Sequence, residues 1–470
     1  MSLTDSAGNP VTVSDPAALA YFDQALDDFL HFRGDLAGDI ERSIQADPDF
    51  ALGYAYKGYV GVLGTEPADA AAAKAVLAAY LARANLSRLS ERERMHLRAA
   101  RTLLEGDFHR AGQLLAEISL EYPRDTLALA VGHQIDFFTG SAGMLRDRPA
   151  GVMYAWTPED RHYPNLLGML AFGLEETGQY DRAEEVGLEA VERNPKDVWS
   201  IHAVTHTYEM QGRFARGMRF MEERFEDWAS GNYFILHNWW HYALYALEAG
   251  DVERALEIHD TVLLTADNAG LALTLLDATA LCWRLYLEGH DLRPRFAEQA
   301  ERWRRKVEPA FYAFNDMHMT MAFVGAGLEQ EAEELIRSRE RWLATYPPEH
   351  LSNVRMTREV GLPVCKAVLA FGRGQYRRVV ELLYPIRRRL HEFGGSHAQR
   401  DAVLRTLLEA AIRGGDYPLS QALLSERISI KPRSPYNWLK QAQLLERIGE
   451  TAKAELARKN AARHRSGSAS

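Results

Sequence analysis

Two histidine pairs with one-turn spacing stand near the middle of the chain. His202 and His206 lie in WSIHAVTHTYEMQGRF, and His237 and His241 lie in HNWWHYALYALEAGD. On an α-helix, residues four apart share a face, and Glu209, three residues after His206, joins that face. An i, i+4 pair of imidazoles can hold a divalent metal such as zinc, and Glu209 or another carboxylate would complete the ligand set, so His202, His206, His237 and His241 are candidate metal ligands. The metalloprotease arrangement is excluded, because it needs Glu directly after the first His and Ala203 stands there. Without a metal, His202, His206, Glu209, His237 and His241 suit general acid and base work. Imidazole titrates near neutrality, and a neighbouring carboxylate orients it.

Either chemistry needs a partly dry pocket. Trp199, Trp239, Trp240, Tyr242 and Tyr245 surround the histidines in sequence and are the expected apolar walls, with Asn238 as a polar contact. Further polar groups occur in FNDMH (Asn315, Asp316, His318) and in GGSHAQRD (His397, Gln399, Arg400, Asp401), which a curled repeat array would bring toward the same groove. Taken singly, each of these reads more simply as a helix cap or a solvated face. His133 and Asp136 are a weaker pair of the same kind. The plain alternative for the whole set is packing, with each imidazole satisfied by a neighbour. Against it stands the concentration of polar groups on two adjacent helices, which a core tolerates only at a cost.

The elements that position these residues are helical hairpins. In LGMLAFGLEETGQYDRAEEVGLEAVERNP, residues Leu170, Ala171, Gly178, Tyr180, Ala183, Ala190 and Pro195 fall on the spacing of a tetratricopeptide unit of about 34 residues. Small residues at Ala171 and Ala183 let two helices approach, Gly178 makes the turn, and Pro195 stops the second helix. The grammar recurs at Gly106, Gly212, Gly250, Gly327, Gly374, Gly415 and Gly449, with Ala111, Ala255, Ala332 and Ala454 marking second helices. The predicted fold is therefore all-α, an α-solenoid of tetratricopeptide-like hairpins, degenerate around residues 50–95 and 260–310. The expected organisation is a flexible N-terminus (1–14), one continuous repeat domain (15–458) and a disordered basic tail (459–470).

The chain of 470 residues is 47% hydrophobic and 26% charged, the composition of a folded protein. With Lys plus Arg at 55 against Asp plus Glu at 65, it carries a formal charge of -10 and no basic stripe, so nucleic acid is not an expected partner. Only Cys282 and Cys365 are present, each in an apolar run, which offers no thiolate metal cage or disulfide framework. No secretory leader and no long apolar run is visible, so a cytoplasmic location off the membrane is expected. No phosphate-binding glycine loop, dinucleotide fingerprint or nucleophile elbow occurs, and no nucleotide cofactor is expected.

The chain resembles the tetratricopeptide repeat protein 38 family over nearly its whole length. The resemblance is carried by LSERERMHLRAARTLLEGDFHRA from Leu89, Trp156-Thr157-Pro158, Ala171-Phe172-Gly173-Leu174, and Trp199-Ser200 with His202, His206, Glu209 and Met210. It continues through His237-Asn238 with His241, Phe314-Asn315-Asp316 with His318, Val360-Gly361-Leu362-Pro363, and Gly394-Gly395-Ser396 with Ala398-Gln399-Arg400-Asp401. His397 stands where the animal members carry Asn. The resemblance implies a tetratricopeptide-like helical fold and no particular reaction.

Three functions are consistent with these residues. The first is a binding solenoid whose concave groove holds a small molecule or short peptide against the His, Glu and aromatic cluster. The second is a hydrolase or lyase using the cluster for acid-base or metal-assisted chemistry, and the third is a protein scaffold. The oligomeric state is not legible.

Overall fold

The computed structural model describes residues 3–265 and 270–465. Apart from a short antiparallel pairing of Leu3–Thr4 with Pro10–Val11, the regular elements among them are helices, paired as tetratricopeptide-like hairpins. The hairpin of Tyr163–Glu176 and Tyr180–Arg193 follows the sequence grammar closely. Ala171, Ala183 and Ala190 are fully buried at the helix contact. Gly178 adopts φ +77°, with its N–H donating to the Glu175 carbonyl at 2.8 Å and the Gln179 N–H to Leu174 at 2.8 Å. That is a Schellman closure, in which a left-handed residue lets the chain satisfy the last helical carbonyls before it reverses. Gly173 marks a different constraint. A methyl group there would sit 2.3 Å from the Leu145 carbonyl carbon, so the Ala142–Val152 helix approaches as it does only because no side chain intervenes.

Contacts divide the chain into two compact units where one continuous domain was expected. The first comprises Met1–Ala203, Glu226–Ile235 and Tyr346–Arg355; the second comprises Val204–Phe225, Leu236–Thr345 and Met356–Ser470. Repeat spacing shows where hairpins turn, but it is silent on where contacts between successive hairpins thin out.

Both ends depart from expectation. In the first unit, residues 3–12 are a docked hairpin: the buried Arg92 guanidinium donates to Asp5 at 2.6 Å and Asp125 at 2.5 Å, and Thr12 N–H and Oγ1 donate to Glu93. A buried guanidinium must be paired, and Asp5 supplies part of the pairing. In the second unit, the Thr451–Arg465 helix runs through Lys459, where disorder was expected, because Ala454, Ala457 and Ala461 form a narrow buried stripe beneath a polar surface. Residues 466–470 lie outside the described part.

Cys282 and Cys365 are buried, and burial pushes both thiols up to about 12. No helix of the described residues is long and apolar enough to cross a membrane.

Candidate functional site

The Val198–Met210 helix starts at an N-cap, Asp197, whose carboxylate accepts from Trp199 N–H at 3.1 Å and Ser200 N–H at 3.3 Å. It ends in a Schellman closure at Gly212, with Gly212 N–H on the Glu209 carbonyl (2.9 Å) and Arg213 N–H on Tyr208 (2.8 Å). These two signals fix the register that presents His206 and Glu209. The Ile235–Ala249 helix presents His237 and His241 one turn apart.

In the second unit these side chains converge. One nitrogen each from His206, His237 and His241 lies within 4.8 Å of the others. The His206 and His241 ring centres are 4.3 Å apart, and those of His237 and His241 are 4.8 Å apart at 90°. His241 Nδ1 is 3.0 Å from Glu209 Oε2, and His237 Nδ1 is 2.8 Å from Asp277 Oδ2. The two Nε2 atoms then face each other at 3.3 Å. His206 and His241 are fully buried, whereas the His237 side chain keeps 17% of its surface exposed.

The protonation pattern follows from the partners. An ionised carboxylate only accepts, so Glu209 and Asp277 place the imidazole proton on Nδ1 of their respective histidines. In that tautomer the two Nε2 atoms, 3.3 Å apart, are the nitrogens that could serve a shared cation. Burial lowers the pKa of His206 and His241 well below the ordinary histidine value, with Arg284 and Lys431 adding to the effect at His241, which keeps both rings neutral and able to donate lone pairs. Lys431 Nζ lies 3.7 Å from Glu209. Arg284, fully buried and lowered by burial to about 10, donates to the Ala280 and Ala398 carbonyls and stands 5.4 Å over the Trp240 ring.

The remaining sequence candidates divide into those near the cluster and those engaged elsewhere. His202, His206, Glu209 and His241 are all buried. His202 lies in the first unit, its ring 5.4 Å from Phe172, 4.9 Å from Trp199 and 5.0 Å from Phe234. Trp240 stacks on His237 at 5.3 Å. Trp239, with Tyr242, packs against Phe225 and under Arg254, while Tyr242 donates to Glu222. Tyr245 is a core residue, its hydroxyl on the Thr205 carbonyl and its ring against Gly217. Asn238 is fully buried, with no hydrogen-bond partner for either amide atom among the described residues.

Asp316 is held by Arg339 in a two-point ion pair (2.8 and 3.0 Å), and Asn315 is buried beside it in sequence. His318 Nδ1 contacts the Phe314 carbonyl at 2.8 Å, and burial pulls this histidine down to about 4. Gln399 closes a capping box with Ser396, and Arg400 donates to the Gly395 carbonyl. Asp401 pairs with Arg405 at 2.7 Å and Arg427 at 2.6 Å. In the first unit, Asp136 pairs with Arg148.

Asp277, Arg284 and Lys431 were missed at the sequence level. Asp277 and Arg284 carried a readable signal, each a lone charge in the apolar run LTLLDATALCWRLYL, where an ionised group needs a partner.

No family model matches the chain. Among solved structures, similar ones include a human IFIT1 dimer with m7Gppp-AAAA, 13% identical over 96% of each chain with a TM-score of 0.41. The APC/C Cut9-Hcn1 hetero-tetramer is 12% identical over 95% of this chain and 93% of that chain, TM-score 0.36. Yeast Tom70 is 13% identical over 95% and 91%, TM-score 0.34. Values this low carry neither a shared course of the chain nor a shared ligand.

Proposed function

We propose that this repeat protein binds a divalent metal of the zinc class through His206, His237 and His241, with Glu209 and Asp277 orienting two of the ligands. The observation that carries the reading is the pair of carboxylate-held histidines whose Nε2 atoms face each other. Two nitrogens each about 2.0–2.1 Å from a tetrahedral zinc lie about 3.3–3.4 Å apart. The observed Nε2–Nε2 separation is 3.3 Å. Carboxylate–histidine–metal relays use this Nδ1 partner and turn Nε2 to the metal.

The partial exposure of His237 supports a second reading, in which solvent or a small ligand reaches the metal's remaining position and the centre acts as a Lewis acid in hydrolysis.

The test is elemental analysis of purified, tag-free protein after dialysis against zinc, beside a His237→Ala/His241→Ala variant. Near-stoichiometric zinc that the variant loses supports the proposal. Zinc absent from the unaltered protein, or retained equally by a folded variant, overturns it.

A further inference from the structure

The closing stretch of the sequence reverses the charge of the chain. Residues 427–470 carry ten Lys or Arg against three Glu, a net of +7 in a chain whose formal charge is -10, so residues 1–426 carry -17. Many of these cations are paired internally: Arg427 with Asp401, Lys431 with Glu209, Lys440 with Glu409, Lys453 with Glu450 and Arg458 with Glu446. Arg433 and Arg465 are different. No carboxylate among the described residues lies within ion-pair distance of either.

Both stand at helix-closing turns of the second unit. Gly212 (φ +69°) and Gly250 (φ +84°) close the Val198–Met210 and Ile235–Ala249 helices. A methyl group on Gly212 would lie 3.2 Å from Arg433 Cβ, so Arg433 is packed on the first turn. The Arg465 guanidinium covers the second, its carbon 2.9 Å from where a Gly250 methyl would lie. Arg213, next to Gly212, and Arg216 lie over the Tyr208 ring at 4.7 and 5.9 Å. Arg216 and Arg219 are exposed neighbours on the Phe214–Glu223 helix, again with no ion pair among the described residues. The last helix joins the same field: burial lowers the pKa of His464, and the Arg463 and Arg433 charges add to the effect. Asp251, beside Gly250, is already engaged as a helix cap, accepting from Arg254 N–H at 2.9 Å.

Guanidinium groups gathered without counter-charges repel one another, and an anion laid across them removes that cost. We infer that the edge of the second unit marked by Gly212 and Gly250 is a docking surface for an acidic peptide segment of a partner protein. Charge complementarity carries the assignment. The planar fork of arginine matches a carboxylate at two points, and the open arginines here outnumber any open lysine. Their spread over two turns and the last helix suits an extended segment better than a single small ion. A long polyanion or a membrane would reach beyond the patch and meet the acidic excess of residues 1–426, whereas a short acidic segment meets the patch alone. The surface uses none of the metal-binding histidines, and it stands or falls independently of the metal proposal.

Fluorescence anisotropy of the full chain with dye-labelled hexaglutamate tests this, beside labelled hexaglutamine, an oligothymidylate of equal charge and phosphatidylserine vesicles. At about 0.1 M ionic strength, saturable hexaglutamate binding of about 1 mM or tighter is expected, at least about tenfold tighter than hexaglutamine and weakening as salt is raised. The triple variant Arg216→Gln/Arg433→Gln/Arg465→Gln should weaken it about tenfold or more with the melting temperature unchanged or raised. Arg377→Gln/Arg378→Gln, exposed elsewhere on the same unit, should leave it unchanged. No saturable hexaglutamate binding, tighter binding of the oligothymidylate or the vesicles, or equal losses in the two variants overturns the inference. The comparison of probes on the unaltered chain decides the matter even if a variant does not fold.

Discussion

His237 and His241 turn their Nε2 atoms toward each other at 3.3 Å while Asp277 and Glu209 hold the opposite nitrogen of each ring. The arrangement is held from three helices, Val198–Met210, Ile235–Ala249 and Ala272–Leu287. Its geometry is therefore set by helix packing, and not by loop conformation. Removing any one carboxylate frees one ring without dismantling the others.

Asp277→Asn and Glu209→Gln test that division of labour. An amide both donates and accepts, so it no longer fixes the imidazole tautomer. Zinc affinity, measured by competition with a chromophoric chelator, should fall about 10- to 100-fold in each variant. Unchanged affinity would show that the carboxylates do not orient the ligands.

Stability of the metal-free chain should decline as the solution is acidified. Burial lowers His206 and His241, takes His318 to about 4 and takes His133 to about 3. The unfolded chain takes up protons near pH 6.5 that the folded chain refuses. The stabilisation is thus complete above about pH 6.5 and is lost as pH falls toward the folded values, at up to about 1.4 kcal/mol per unit for each histidine. Denaturant melts between about pH 7 and pH 5 should show the decline, and a flat profile would contradict the buried, neutral assignment.

Gly173→Ala and Gly178→Ala separate two uses of glycine in one hairpin. At Gly173 the added methyl meets the Leu145 backbone at 2.3 Å, whereas at Gly178 nothing lies within 4 Å and the constraint is φ +77°. Overpacking should cost about 1–3 kcal/mol or more at Gly173, and the left-handed penalty about 1–2 kcal/mol at Gly178. Chemical denaturation ranks them, and equal stability of both variants with the parent would refute the hairpin account.

Arg92→Met should release the N-terminal hairpin and destabilise the first unit by about 3–5 kcal/mol, because Asp125 and Asp5 are left buried without their cation. Protease sensitivity confined to residues 3–12, together with a lower melting temperature, is the expected signature. A variant as resistant as the parent would contradict it.

Much of this architecture was written locally and could be read without a structure. Gly178 and Gly212 end their helices because turn chemistry is a matter of a few consecutive residues, and the His206, Glu209, His237 and His241 spacing is likewise a single-helix property. What escaped reading depends on distant partners. Asp277 reaches His237 from 40 positions away, and Asp5 reaches Arg92 from 87. The face taken by an aromatic residue was also hidden: Trp239 and Trp240 are neighbours in sequence, yet one packs on Phe225 and the other on His237. The alanine stripe that keeps the Thr451–Arg465 helix ordered was masked by the polar residues around it.

The central claim is that imidazoles of the second unit are the ligands of a tetrahedral metal. Zinc K-edge X-ray absorption on the zinc-loaded chain tests it most directly. The account predicts a first shell at about 2.0–2.1 Å with the multiple-scattering pattern of at least three imidazoles, lost in His237→Ala/His241→Ala. A shell of oxygen ligands alone, or a spectrum the variant leaves unchanged, would contradict it.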